Sequence, residues 1–421
     1  ADSLISSGSK TTGAGDNLPV TYGFMADTKL TPGTYSTQVT YTAIAETPSY
    51  TISSVSPSEL YTNDQTDKTI TILTTTPVSE LGLGDITAKI TNAPSTSAET
   101  STNTVVLTNC TEITQVVSGV SYRGAQCSYS GSLARGYYNV ILTSSWHSAT
   151  YTLTNGFRIR DYRTMANITY MQDINSDICE NTPETQSYSS APTLTDSRGK
   201  GNAGSQTGTY KVIKAKDGNC WMADNLNLYN TGSSPAEKQL NSANTDIPSG
   251  SYTIPASTTW NSNIYNTPKI HVANGTGDYA DKNNTYGTWG TVYYNWCAAV
   301  GLTTTCNTTE QQDRSICPKG WTLPTNGDVN TNKSWTKLLD VYGIDTGAKL
   351  LANSTLGFTK YYGYWDWNLA SEGNQGSHGY FWSGTPSAET SAYNLRYNSG
   401  RVNPQGSNDK GLDFSIRCVS R

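Results

Sequence analysis

Alternating apolar and polar positions run through the first 160 residues of the chain. After Pro32-Gly33 the run Thr34–Ala43 alternates strictly and predicts a strand with one buried face. Pro19–Met25 reads as a further strand. Ile52–Pro57, Lys68–Leu73, Gly136–Thr143 and Asn155–Ile159 follow, separated by turn residues at the intervals of a β-sandwich. Beyond residue 162 the pattern changes. Thr291–Val300 and Ser334–Tyr342 predict helices, the second because Trp335, Leu338, Leu339 and Tyr342 repeat at helical spacing behind Asn332 or Ser334 as caps. Short strands and long polar stretches, such as 230–267, fill the remainder, so this part is expected to be α+β.

Three domains follow: 1–47, 48–161 and 162–421. Two or three strands cannot form a sandwich alone, so 1–47 is expected to be the closing strands of an upstream domain or a strand donated to a neighbour. The fold class expected is multidomain and β-rich: an immunoglobulin-like sandwich, then an α+β domain with long loops.

Composition agrees. Charged residues make up 14% of the chain and Tyr contributes 28 residues against five Phe, as suits pleated surfaces and hydroxyl-rich turns. Ten Trp and 35% hydrophobic residues supply enough apolar area for a core. A net charge of −5 without a basic block argues against nucleic acid as a partner. No apolar run approaches the roughly 20 residues that cross a bilayer, so no membrane span is expected.

Eight cysteines stand at 110, 127, 179, 220, 297, 306, 317 and 418, and none is spaced for zinc. Disulfides and an oxidising, extracellular location are expected. Cys110 and Cys127 lie 17 residues apart and suit a local bridge between neighbouring strands.

Chemistry that the spacing excludes is equally informative. Gly199-x-Gly201-x-x-Gly204 precedes an alternating segment instead of opening a helix, so it is a loop and not a nucleotide site. Asp278, Asp281 and Asn283 lack the bidentate Glu of a calcium loop. Neither G-x-S-x-G nor H-E-x-x-H occurs, and no catalytic residue or cofactor is expected.

Three resemblances extend the reading. Pro32-Gly33-Thr34-Tyr35 followed by Val39–Ala43 is similar to the closing strands of WxL-like bacterial surface domains. Ile52, Val55 and Pro57, then Gly136, Tyr138 and Val140, then Asn155–Ile159, resemble the IPT/TIG family of immunoglobulin-like domains, which act as spacers. From about 165 to 421, five landmarks stand in fixed order: Thr195–Arg198 leading into Thr209–Ile213, Gly218–Leu226, Tyr294–Ala299, Ile316–Pro324 and Phe414–Val419. Together they resemble the Fibrobacter succinogenes major paralogous domain, which is similar to the C-type lectin-like fold and its formylglycine-generating and retroelement-diversified branches. That resemblance implies a small twisted antiparallel sheet with two helices, its first and last strands paired. It also implies a Cys317–Cys418 staple, leaving Cys179–Cys220 and Cys297–Cys306 as the remaining pairs.

The candidate ligand site is the terminal stretch. Tyr380, Trp382, Tyr393 and Tyr397 offer aromatic area, Asn394 and Asn398 adaptable amides, and Arg396 and Arg401 charged forks. Alternation puts Tyr393, Leu395 and Tyr397 on one face of a strand and Asn394 and Arg396 on the other. The polar side is the better candidate, Trp382 and Leu395 suiting a core. The function expected is non-catalytic binding or adhesion at a bacterial cell surface, towards a host-cell or neighbouring-cell protein or glycan. A filament or lattice subunit that self-associates is the alternative, and an enzyme acting on surface glycans or peptides the third.

Overall fold

Runs such as Lys68-Thr-Ile-Thr-Ile-Leu73 bury every second residue, which fixes strand and register together. The computed structural model describes residues 51–77, 83–92, 99–100, 102–145, 149–198, 208–228, 239–240, 244–247, 252–253, 267–272, 292–303, 306–312, 314–367, 369 and 371–421. The strands expected within 19–43, the Gly199–Gly204 loop, Asp278, Asp281 and Asn283, and most of 230–267 lie outside these residues.

The first part comprises β1 (Ile52–Ser56), β2 (Glu59–Tyr61), β3 (Lys68–Pro77), β4 (Ile86–Thr91), β5 (Thr104–Val117), β6 (Val120–Tyr129), β7 (Gly136–Ser144) and β8 (Ala149–Arg160). They join in the order β1-β3-β6-β5-β4-β7-β8-β2. All eight contribute to one core, among them Ile70, Ile72, Ile90, Val140, Leu142, Phe157 and Ile159, so the sheet closes over a single apolar interior. Cys110–Cys127 clasps β5 to β6 with the Cα atoms 4.1 Å apart. That hairpin turns through Ser118 and Gly119, both at positive φ (51° and 81°), as a two-residue turn with the right-handed strand twist requires.

The second part opens with α1 (Ser176–Asn181), capped by the Asn175 side chain, which accepts from Ile178 N. Then come β9 (Thr193–Asp196), β10 (Gly208–Lys214), β11 (Cys220–Met222), β12 (Gln239–Leu240), β13 (Tyr252–Thr253), β14 (Ile270–Val272), β15 (Val292–Asn295) and α2 (Trp296–Ala299). After β16 (Trp321–Thr322) lie α3 (Trp335–Val341) and α4 (Gly347–Ala352). The chain finishes with β17 (Tyr364–Asp366), β18 (Ser371–Gly373), β19 (His378–Pro386), β20 (Ser391–Asn398), β21 (Arg401–Asp409), β22 (Leu412–Phe414) and β23 (Val419–Ser420).

These strands form sheets ordered β16-β23-β11-β10-β9, β14-β15-β22-β17-β18 and β19-β20-β21, with β12 and β13 as a separate pair. The last strand, β23, pairs with β11 and β16, not with β9 as expected; β10 and β11 stand between them. The helix expected over 291–300 is half strand. Val292–Asn295 is buried at every position and pairs with β14 and β22, and the Asn295 side chain caps only the four-residue α2. A segment apolar on all sides has no periodicity to separate helix from strand. By contrast α3 forms where expected, with Ser334 as its cap (Lys337 N to Oγ, 3.1 Å).

All eight cysteines are paired, as Cys110–Cys127, Cys179–Cys220, Cys297–Cys306 and Cys317–Cys418. The landmark residues are mostly structural. Arg198 pairs with Asp196 at 2.7 Å, both almost fully enclosed, and donates to Ile316 O at 2.6 Å. Trp221 packs against Trp335 in a tilted arrangement with ring centres 5.2 Å apart. Trp321 Nε1 donates to Met171 O at 2.8 Å.

Residues 50–421 cohere as one compact unit, and α1 shows how. Asp177 has a fully enclosed side chain and receives Arg135 Nε at 2.7 Å, Arg158, and the backbone N–H of Asp161 at 3.0 Å. Burial pushes its carboxyl up, but the Asp161 N–H and the Arg135 and Arg158 charges outweigh burial and leave it below its ordinary value. The Arg163 fork holds the adjacent Asp161 at about 2. Both carboxyls are depressed on folding, so their contribution is complete above the ordinary carboxylate value near 4 and fades as pH falls through the folded values. Removing the buried Asp177 carboxylate leaves Arg135 and Arg158 without their partner, but their partial exposure to solvent lessens the cost relative to a fully buried pair. Asp177→Ala is therefore expected to lower the denaturant midpoint markedly, whereas Asp345→Ala, at an exposed pair with Lys349, leaves it unchanged. Acid titration of the wild type should loosen this junction between pH ~4 and ~2, read by hydrogen exchange at α1.

Candidate functional site

The sheet β19-β20-β21 is packed on both faces, because Tyr380, Phe381 and Trp382 are consecutive and a strand sends neighbours to opposite sides. On one side Trp382 stacks on Phe414 with centres 4.2 Å apart and donates Nε1 to Tyr294 O at 2.8 Å. Tyr380 packs against Phe414 at 4.9 Å. On the other side Phe381, Leu395 and Tyr397 join Phe358 and Trp335 in a second core. Gly379 lets the Tyr397 ring lie directly against the β19 backbone, where a Cβ would collide with it.

This packing divides the expected ligand residues. Tyr380, Trp382, Asn394 and Tyr397 are buried. Tyr380, Trp382 and Asn394 belong to the face expected to be polar, but the core around Phe414 covers that face over most of its length. Asn394 is fully enclosed and spends its amide N–H on Asn408 Oδ1 at 3.0 Å. Tyr393 is half-buried, in line with Leu395 and Tyr397. These five side chains are thus not gathered on an open surface.

Arg396, Asn398 and Arg401 are gathered there. The register pairs Tyr380 with Arg396 and His378 with Asn398 across β19 and β20, and Arg396 with Asn403 and Asn398 with Arg401 across β20 and β21. Directly paired residues share a face, so His378, Arg396, Asn398, Arg401 and Asn403 lie together where the sheet runs out past its core. Arg396 and Arg401 are exposed and the other three half-buried. The Arg396 guanidinium lies 5.7 Å from the centre of the Tyr380 ring.

The hydrogen bonds fix this end in one arrangement. Asn398 Oδ1 accepts from Gly400 N at 3.1 Å and Arg401 N at 3.0 Å, so its Nδ2 faces His378 Nε2 at 3.3 Å. His378 Nε2 must then accept, which puts the ring proton on Nδ1, 3.1 Å from Ser377 Oγ. Burial, and then the Arg396 charge, hold His378 below its ordinary value. Asparagine and arginine carried the reading from sequence. His378 was missed, although its place two residues before Tyr380 on an alternating strand puts it on the same face.

Among the described residues no group of three or more His, Cys, Asp or Glu is placed to hold a metal ion. One buried carboxyl, Asp413, is pushed well above its ordinary value by its surroundings, chiefly burial, and accepts from Trp367 Nε1 at 2.6 Å. It is fully buried within the sheet that contains β22. The chain matches no family model, no curated protein and no solved structure.

The tautomer has a measurable consequence. Folding depresses the His378 value, so its contribution is complete above the ordinary histidine value near 6.5 and is lost as pH falls through the folded value. Protonation would set two donors against each other at Nε2 and add charge beside Arg396. An NMR titration should find His378 titrating below a free imidazole, and Arg396→Ala should move the midpoint upward. An unchanged midpoint in that variant would separate Arg396 from His378.

Proposed function

We propose that this chain is a non-catalytic binding or adhesion protein of a bacterial cell surface. In this reading 48–161 is an immunoglobulin-like spacer and 162–421 a lectin-like binding head. The observation that carries it is the open end of β19-β20-β21, where Arg396 extends from β20, held between two cores, and Arg401 from the paired end of β21. A backbone held in one arrangement beneath the charged side chains has little ordering left to do on binding. Four disulfides mark a protein matured outside a reducing cytosol, and no helix among the described residues is long and apolar enough to cross a membrane. The order of the landmarks from Thr195 to Val419 resembles a family of exported lectin-like domains and supports the same reading.

A lattice or filament subunit is the second reading, favoured by the apolar tip of the β5–β6 hairpin. Val116, Val117 and Val120 are 66%, 43% and 47% exposed there, beside a tight turn. Light scattering separates the two: a stable monomer sinks the subunit, and ordered polymers sink the simple binding head.

For the binding head, a glycan and cell-surface array is probed with wild type and with Arg396→Ala plus Arg401→Ala. The double variant is expected to lose at least tenfold in signal with its melting temperature unchanged. Equal binding by both proteins would remove this face from the function.

A further inference from the structure

Resting on the binding reading, we infer that the Arg396–Arg401 face takes a carboxylate-bearing saccharide, a uronate or a sugar acid of similar kind.

The donor and acceptor balance of the face leads there. The side-chain acceptors of the network each hold at least one partner. Asn398 Oδ1 holds two backbone N–H groups, and His378 Nε2 faces the Asn398 amide. Asn403 Oδ1 takes Gln405 N at 3.1 Å. What faces solvent is a set of donors: two guanidinium forks and the Asn403 amide N–H groups. A ligand complementary to that face must consist mainly of acceptors.

Charge narrows the choice. The chain has 33 acidic residues against 28 basic ones. Even so, among the described residues no carboxylate pairs with Arg396 or Arg401, while Arg123, Arg135, Arg158, Arg160, Arg163 and Arg198 all have such a partner. Arg396 stands opposite Asn403 and Arg401 opposite Asn398, which makes the two arginines diagonal neighbours, about 7–8 Å apart by sheet geometry. Forks carried on such neighbouring backbone positions can reach one ligand together, and a planar carboxylate accepts two parallel N–H bonds from either.

Among the described residues, the burial of Tyr380 and Trp382 on this face favours a saccharide over an acidic peptide. Of the aromatic side chains near Arg396, Tyr380 and Trp382 are closed off by Phe414, and Tyr364 is half-buried edge-on against Tyr380. Peptide and protein partners draw most of their affinity from an apolar anchor in a pocket. A sugar ring needs none, since its hydroxyl oxygens accept from the same donors that hold its carboxylate.

The test uses the full chain in biolayer interferometry against four immobilised probes: oligogalacturonate, poly-glutamate, dextran sulfate and dextran. Saturable binding to oligogalacturonate is expected, at least tenfold tighter than to the other three. Arg396→Lys plus Arg401→Lys, which keeps the charge and removes the forks, should lose most of the preference, with the melting temperature as the control for folding. Tighter binding to poly-glutamate or dextran sulfate, retained preference in the lysine variant, or no binding to any probe overturns the proposal. If dextran binds and Arg396→Ala plus Arg401→Ala abolishes it, the face is a binding site and only the carboxylate assignment falls. If the array signal of the previous section is also unchanged in that double variant, the binding reading itself falls.

Discussion

The guanidinium of Arg417, 1% exposed, lies 3.9 Å from the centre of the Phe358 ring and 5.5 Å from that of Phe381. It donates to Asn225 Oδ1 at 2.9 Å, Leu356 O at 2.6 Å and Gly357 O at 2.8 Å. A charge so deep in an apolar interior is tolerated only when its donors are satisfied, so three separate segments must come to one point. The residues on either side extend the constraint. Phe414 stacks on Trp382, Cys418 is bonded to Cys317, and Val419 pairs with Trp221 and Thr322. Within nine residues, from Leu412 to Ser420, the chain contributes a strand to each of two sheets and supports one face of a third.

From that knot follows the shape of the candidate site. Because Phe414 covers Tyr380 and Trp382 while Phe358 meets Phe381 and Tyr397, β19 and β20 are held on both sides. Only the last residues before the Ser399–Gly400 turn project past the cores. Burial and exposure therefore occupy different stretches of this sheet: Trp382 and Leu395 anchor β19 and β20, whereas Arg396 on β20 and Arg401 on β21 are exposed and Asn398 is half-buried. The backbone that carries Arg396 is fixed by the core beneath it.

Much of this was legible in the sequence where periodicity and burial agree. The strands around Ile70 and Val140 alternate because one face meets the core, and α3 shows its helical spacing because its other side meets water. Legibility failed where burial is complete. Val292–Asn295 is buried on every side and so has no exposed face to report its period, and its sequence reads as helix where the chain forms a strand. Asn394 was placed on an open face by alternation alone, since a sheet covered on both sides cannot be recognised from one strand. The landmark stretches, Arg417 among them, marked the scaffold, and their buried hydrogen bonds show why those residue types are needed there. His378 was passed over because its role depends on Asn398, which the turn brings to it.

The central claim is that one arginine of this region holds the fold while two others are free to bind. It can be read directly from the Nε–Hε resonances of the full chain, labelled with 15N-arginine, during addition of oligogalacturonate. Arg396 and Arg401 are expected to shift saturably, while Arg417 keeps slow solvent exchange and an unchanged position. Rapid exchange at Arg417, or static resonances of Arg396 and Arg401 throughout the titration, would contradict it.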